Sequence, residues 1–173
     1  MAPAPFAHRL RVAHLNPNRP TEIDLTPNAA ERQAIADDLG ILALPALHLT
    51  GTLQAEAGDS WGFEGRIEAK AVQECVVSLV PVETSIAEAV RRRWSPYVTT
   101  PEGDEAEMGD DETDPLEQFI DMGAVMVESL ALALPPFPRA PGAALPDAPE
   151  ESPEPDTRRP FADLARLIQK QDD

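Results

Sequence analysis

Cysteine is nearly absent: Cys75 is alone in 173 residues. That excludes an intramolecular disulfide framework and points to a reducing compartment, the cytosol by default. Long apolar runs are missing too. "MGAVMVESLALALPPF" is broken by Glu128 and ends in prolines, short of the roughly 18 apolar residues of a membrane span. "MAPAPFAHRLRVAHLNP" holds no apolar block of the signal-peptide kind. Cations are scarce, 14 lysines and arginines against 31 acids, for a net charge of -17. Phosphate-backbone binding draws its affinity largely from Lys and Arg, so the charge opposes general attraction to such backbones, and neither DNA nor a membrane is expected as a partner. A basic protein is the electrostatically easier one.

What is present suits a single α+β domain of mainly antiparallel strands with two packed helices, over residues 6–136. "HRLRVAHL" alternates polar and apolar residues and reads as a strand. In "DLTPNAAERQAIADDLGI", Thr26 suits an N-cap, Pro27 the first helical position and Gly40 the stop. Ile35 and Leu39 share its inward face. "ALHLTGTLQAE" and "WGFEGRIEAKAVQECVVSLV" alternate on either side of the turn "AGDS" and read as neighbouring antiparallel strands. Their inward residues are Leu47, Leu49 and Leu53, then Trp61, Phe63, Ile67, Ala69 and Ala71. "VETSIAEAVRRRWSPYV" fits either period, and its context favours a strand. Residues 101–114 are dense in carboxylates and predict a mobile loop. Ile120 ends a short strand, and a helix runs from Met122 to Leu134, presenting Val125, Met126, Leu130 and Ala133 to the core until Pro135 stops it. Residues 137–157 read as a Pro- and acid-rich linker. Residues 158–170 form a short amphipathic helix that docks on its own domain or on a partner.

The residues offer little for catalysis. Cys75 would begin a C-x-x-C, but Ser78 occupies the second position. His8, His14 and His48 are scattered, with no local zinc-ligand spacing. "QECVVS" shows no helix N-terminus or cation that would stabilise a thiolate, so a buried packing role is expected for the sulfur. No nucleotide motif occurs, and no cofactor is indicated. Asp121 and Glu128, seven apart, are the acids that an RNA-processing enzyme subunit or activator would use around a metal. The plainer alternative has Asp121 capping the helix and Glu128 pairing with a cation. Arg91, Arg92, Arg93 and Trp94 could meet RNA by phosphate contact and base stacking, or the arginines could balance nearby acids.

Three ordered blocks together resemble the YceD family, the large ribosomal RNA subunit accumulation proteins. "CVVSLVPV" carries the first through Cys75, Leu79, Pro81 and Val82. "FIDMGAVMVESLALALPPFP" carries the second through Asp121, Glu128, Leu130, Leu132, Leu134 and Pro135. "RPFADLARLI" carries the third through Pro160, Phe161 and Leu164. The resemblance spans Leu10 to Ile168. It implies a strand ending at Leu79 and Pro81, with Ser78 facing solvent or bonding backbone. It also implies a non-enzymatic role in the synthesis, processing or stability of large-subunit ribosomal RNA. The expected partner is a basic ribosomal or assembly protein, with local RNA contact at "RRRW". A general acidic adaptor is the alternative outside ribosome biogenesis, and the oligomeric state is left open.

Overall fold

Three long strands in succession frame the molecule, a computed structural model that describes residues 6–98 and 113–144. All of these but Ala144 fall in one compact unit, Met1–Ala143. Strand β1 (Arg9–Arg11) is followed by a 3-10 turn (Val12–His14), β2 (Thr21–Leu25) and helix α1 (Ala29–Leu39). Next come β3 (Ala43–Glu56), β4 (Ser60–Glu74), β5 (Pro81–Ser95), β6 (Thr113–Pro115), β7 (Phe119–Asp121) and helix α2 (Met122–Ala133). The five-stranded sheet has the order β2-β3-β4-β5-β6, and a separate ribbon joins β1 to β7. Every pairing is antiparallel except β5 with β6. The architecture is α+β, strand-rich and mainly antiparallel, as its alternating runs predict.

Period-two alternation decides which face of the sheet is buried. Leu47, Leu49, Leu53, Trp61, Phe63, Ile67, Ala69 and Ala71 all lie in the core, joined by Ile86, Val90 and Trp94 of β5. The opposite face is charged and solvated, with ion pairs Arg91–Glu64 at 3.7 Å, Arg93–Glu56 at 2.8 Å and Lys70–Glu83 at 3.9 Å. Each such exposed pair contributes little by itself. Directly opposed Gly51 and Gly65 make room for Phe63. A Cβ on Gly65 would stand 2.5 Å from Phe63 Cζ, and one on Gly51 2.7 Å from Cε2. The ring therefore lies over both glycines and fills the space their missing side chains leave.

The first helix starts later than Thr26 and Pro27 suggest. Asn28 is its N-cap, accepting from the Ala30 and Glu31 N–H groups, while the Glu31 carboxylate accepts from the Asn28 N–H. This reciprocal capping satisfies more orphan donors than a threonine two residues earlier, and Pro27 is buried ahead of it. Gly40 closes the helix at φ 65°, in the left-handed region that favours glycine. Ile35 and Ala36 are buried, and Leu39 packs partly against the core.

Other expectations shift. The N-terminal strand is only three residues long before it coils into the 3-10 turn, and β2 was not foreseen. Thr113 and Asp114, read as loop, are paired in β6 with Arg93 and Trp94. Residues 101–112 and the terminal helix proposed at 158–170 lie outside the described residues. The folded body runs past Pro136: Pro138 C=O accepts from the Val76 N–H at 3.0 Å.

Candidate functional site

At the far end of β4 the chain makes a tight reversal around the lone sulfur. The strand ends at Glu74, not at Leu79, and β5 begins at Pro81. Between them the Cys75 N–H donates to Val80 C=O, and the Leu79 N–H donates to Cys75 C=O. Leu79 adopts φ 60°, a costly region for a residue with a Cβ, and its side chain is 70% exposed. Proline at 81 opens the following strand because its missing N–H leaves the first ladder position intact.

Cys75 is wholly buried. Its Sγ accepts from the Ser78 N–H at 3.4 Å and the Ala140 N–H at 3.3 Å. These donors, with the Ser78 side chain contributing most, lower the thiol from its ordinary value to about 6, against the opposing effect of burial. The local sequence concealed this, since Ala140 is 65 residues away and carries no side-chain signal. Ser78 is exposed, and it reaches the sulfur through its backbone N–H. With no exposed surface the sulfur meets no reactant in the closed fold, and its work here is to hold the turn against residues 138–140.

Asp121 joins two distant blocks. As N-cap of α2 it accepts from Gly123 and Ala124 N–H groups, and Oδ1 also accepts from the His8 N–H at 2.9 Å. Oδ2 accepts from Arg9 Nε at 3.1 Å. Burial pushes its pKa up, but the donors from His8, Ala124, Arg9 and Gly123 together hold it below the usual carboxylate value. Glu128 is bound to Arg92, whose guanidinium also reaches Asp114 at 3.4 Å. Asp121 and Glu128 therefore serve a cap and an ion pair rather than one shared site. Among the described residues, no group of three or more His, Cys, Asp or Glu side chains is placed to hold a metal.

The "RRRW" stretch is neutralised in place. Arg91 pairs with Glu64, Arg93 with Glu56, and Arg92 with Glu128 and Asp114, its side chain only 17% exposed. Trp94 is buried opposite Trp61, so its indole faces the core and not a base. The acidic partners come from β3, β4, β6 and α2, which no local reading of the arginines joins. Of the remaining motif residues, Leu130 is buried, Leu132 is 82% exposed, and Val82 is half-buried. Pro135 C=O accepts from the Gln73 side chain at 3.2 Å. Pro160, Phe161 and Leu164 lie outside the described residues.

Comparison with known families places this arrangement. The model of the family described as "Large ribosomal RNA subunit accumulation protein YceD" matches residues 63–168. The chain belongs to the YceD family. The match begins at Phe63, so the part of the resemblance from Leu10 to Gly62 lies outside it. No curated protein and no solved structure shows significant similarity to the chain. Within YceD the Cys75 turn, the Asp121 cap and the Arg92–Glu128 pair all fall inside the matched span. The name ties the family to accumulation of large-subunit ribosomal RNA. No helix among the described residues is long and apolar enough to cross a membrane.

Proposed function

We propose that this YceD chain is a non-enzymatic assembly factor that supports large-subunit ribosomal RNA through a basic protein partner. The observation that carries the reading is the family match over residues 63–168. Two features favour action through a protein over extensive RNA binding. The net charge is -17, and the three arginines of "RRRW" are already engaged by acids of the same fold. The enzyme-subunit alternative loses support because Asp121 spends its oxygens on backbone donors and Arg9.

Depleting the protein from cells should lower large-subunit ribosomal RNA relative to small-subunit RNA. Re-expression of wild type or of Cys75→Ala should restore the ratio, because the sulfur has a holding role. An unchanged ratio on depletion contradicts the proposed role; rescue by wild type alone, with Cys75→Ala folded and equally abundant, gives the thiol a function beyond the turn. For the partner, affinity of immobilised protein for purified basic ribosomal proteins should fall steeply as salt rises from about 0.05 to 0.5 M, where exposed charges are screened. Affinity indifferent to salt would rule out capture by acidic charge.

A further inference from the structure

Strand β5 is fifteen residues long and paired with β4 along almost its whole length, whereas β6 covers only Arg93–Ser95 on its other side. From Val82 to Arg92 that edge is open among the described residues. Its hydrogen-bonding phase can be read off. Ser95 C=O accepts from the Leu116 N–H, away from β4, and the register with β4 has no bulge. In an antiparallel ladder both backbone groups of alternate residues point the same way. Glu83, Ser85, Ala87, Ala89 and Arg91 therefore direct N–H and C=O groups outward, an available template for another strand.

The open stretch is bounded by Pro81 and by β6, and its midpoint is Ala87. A two-fold axis there would pair Ala87 with Ala87 of a second copy, Ser85 with Ala89, and Glu83 with Arg91, each in hydrogen-bonding phase. At both ends Glu83 meets Arg91, each held within its own chain by a long, exposed pair (Lys70 at 3.9 Å and Glu64 at 3.7 Å) that it can share or exchange across the axis, and small residues meet in the middle. The edge itself carries two acids, Glu83 and Glu88, and two arginines, Arg91 and Arg92, so it is locally balanced in a molecule that is otherwise strongly acidic. Beside it lies a groove of about 630 Å³ between β5 and α2, lined by Ile67, Val90, Leu132 and Ala133. A second strand would roof it.

From this we infer that the YceD chain forms a two-fold dimer by antiparallel pairing of β5 edges centred on Ala87. The inference goes beyond the proposed function and does not depend on it. Glu88 stands on the groove side between Ile86 and Val90, a charge of the kind that discourages indiscriminate edge pairing. In the dimer the two Glu88 carboxylates lie diagonal across the axis, where like charges oppose association. Glu88→Gln should therefore tighten the dimer.

Sedimentation of the full chain over a concentration series tests this. Wild type should shift from monomer to dimer. Arg91→Glu, which sets acid against acid at both ends, should weaken the dimer about tenfold, and the double variant Glu83→Arg/Arg91→Glu should restore it. Ala87→Pro should abolish pairing while leaving the monomer folded, because the lost N–H points away from β4; buried Trp61 and Trp94 report folding by fluorescence. A monomer at every concentration overturns the inference, as does a dimer indifferent to both Arg91→Glu and folded Ala87→Pro, which would use another face.

Discussion

Gly65→Ala is expected to destabilise the protein by about 3 kcal/mol, at the upper end for overpacking. The added methyl would meet Phe63 Cζ at 2.5 Å on one side and the Thr50 carbonyl of β3 on the other. The ring could swing only toward Gly51, where it already fills the place a Cβ would take, and the carbonyl belongs to a ladder that cannot retreat without losing hydrogen bonds. Neither neighbour is the free end of a flexible side chain. Urea unfolding followed by tryptophan fluorescence measures the loss, since Trp61 and Trp94 are both buried in the sheet. In a Phe63→Leu background the same substitution should cost less, because half of the obstruction is gone while the Thr50 carbonyl stays. A loss under about 0.5 kcal/mol for Gly65→Ala alone, the range of ordinary surface changes, would mean that ring and glycines do not meet as described.

The second large effect is expected at Asp121. Alanine there removes the acceptor for the first turn of α2 and for the His8 N–H, and it releases Arg9. The loss should be about 2 kcal/mol, that of a cap plus an unsatisfied donor, and hydrogen exchange at His8 and Met122 should quicken together. Asn keeps an acceptor oxygen and loses the charge, so Asp121→Asn should fall between wild type and alanine. The pH dependence has a definite sign. The folded-state pKa is lowered, so the carboxylate's contribution is complete above its ordinary value of about 3.9 and is lost as pH falls through the lower folded value. The gap between wild type and Asp121→Asn should therefore be constant near neutrality and close in acid. If Asp121→Ala left stability unchanged yet halted ribosomal RNA accumulation, the cap would be incidental and the carboxylate functional.

Most of the long strands and both helices were legible in the residue pattern. In β3 and β4 every second residue is apolar or glycine over long stretches, and only one register buries that set, so Leu49, Phe63 and Ile67 were assignable to the core; β5 is less regular, with Thr84, Glu88 and Arg92 interrupting the face that Ile86, Val90 and Trp94 bury. The helix ends were legible where Gly40 and Pro135 punctuate them. Three ordered motif blocks were enough to indicate the YceD family. The short pieces were not legible. β2 and β6 span five and three residues, too few for a period to show, and β6 exists because Arg92 and the exposed backbone of β5 receive it. Alternatives at Asp121 and Glu128 stayed open because a carboxylate's role depends on what faces it. Tertiary structure decided both, by bringing His8 and Arg9 to one and Arg92 to the other. It decided Cys75 in the same way, since the donors that hold its sulfur come from Ser78 and from Ala140, far along the chain. Periodicity records which side of a strand is buried; it carries no information about which distant polar group arrives there, and in this protein that arrival sets the surroundings of Cys75, Asp121, Arg92 and Glu128.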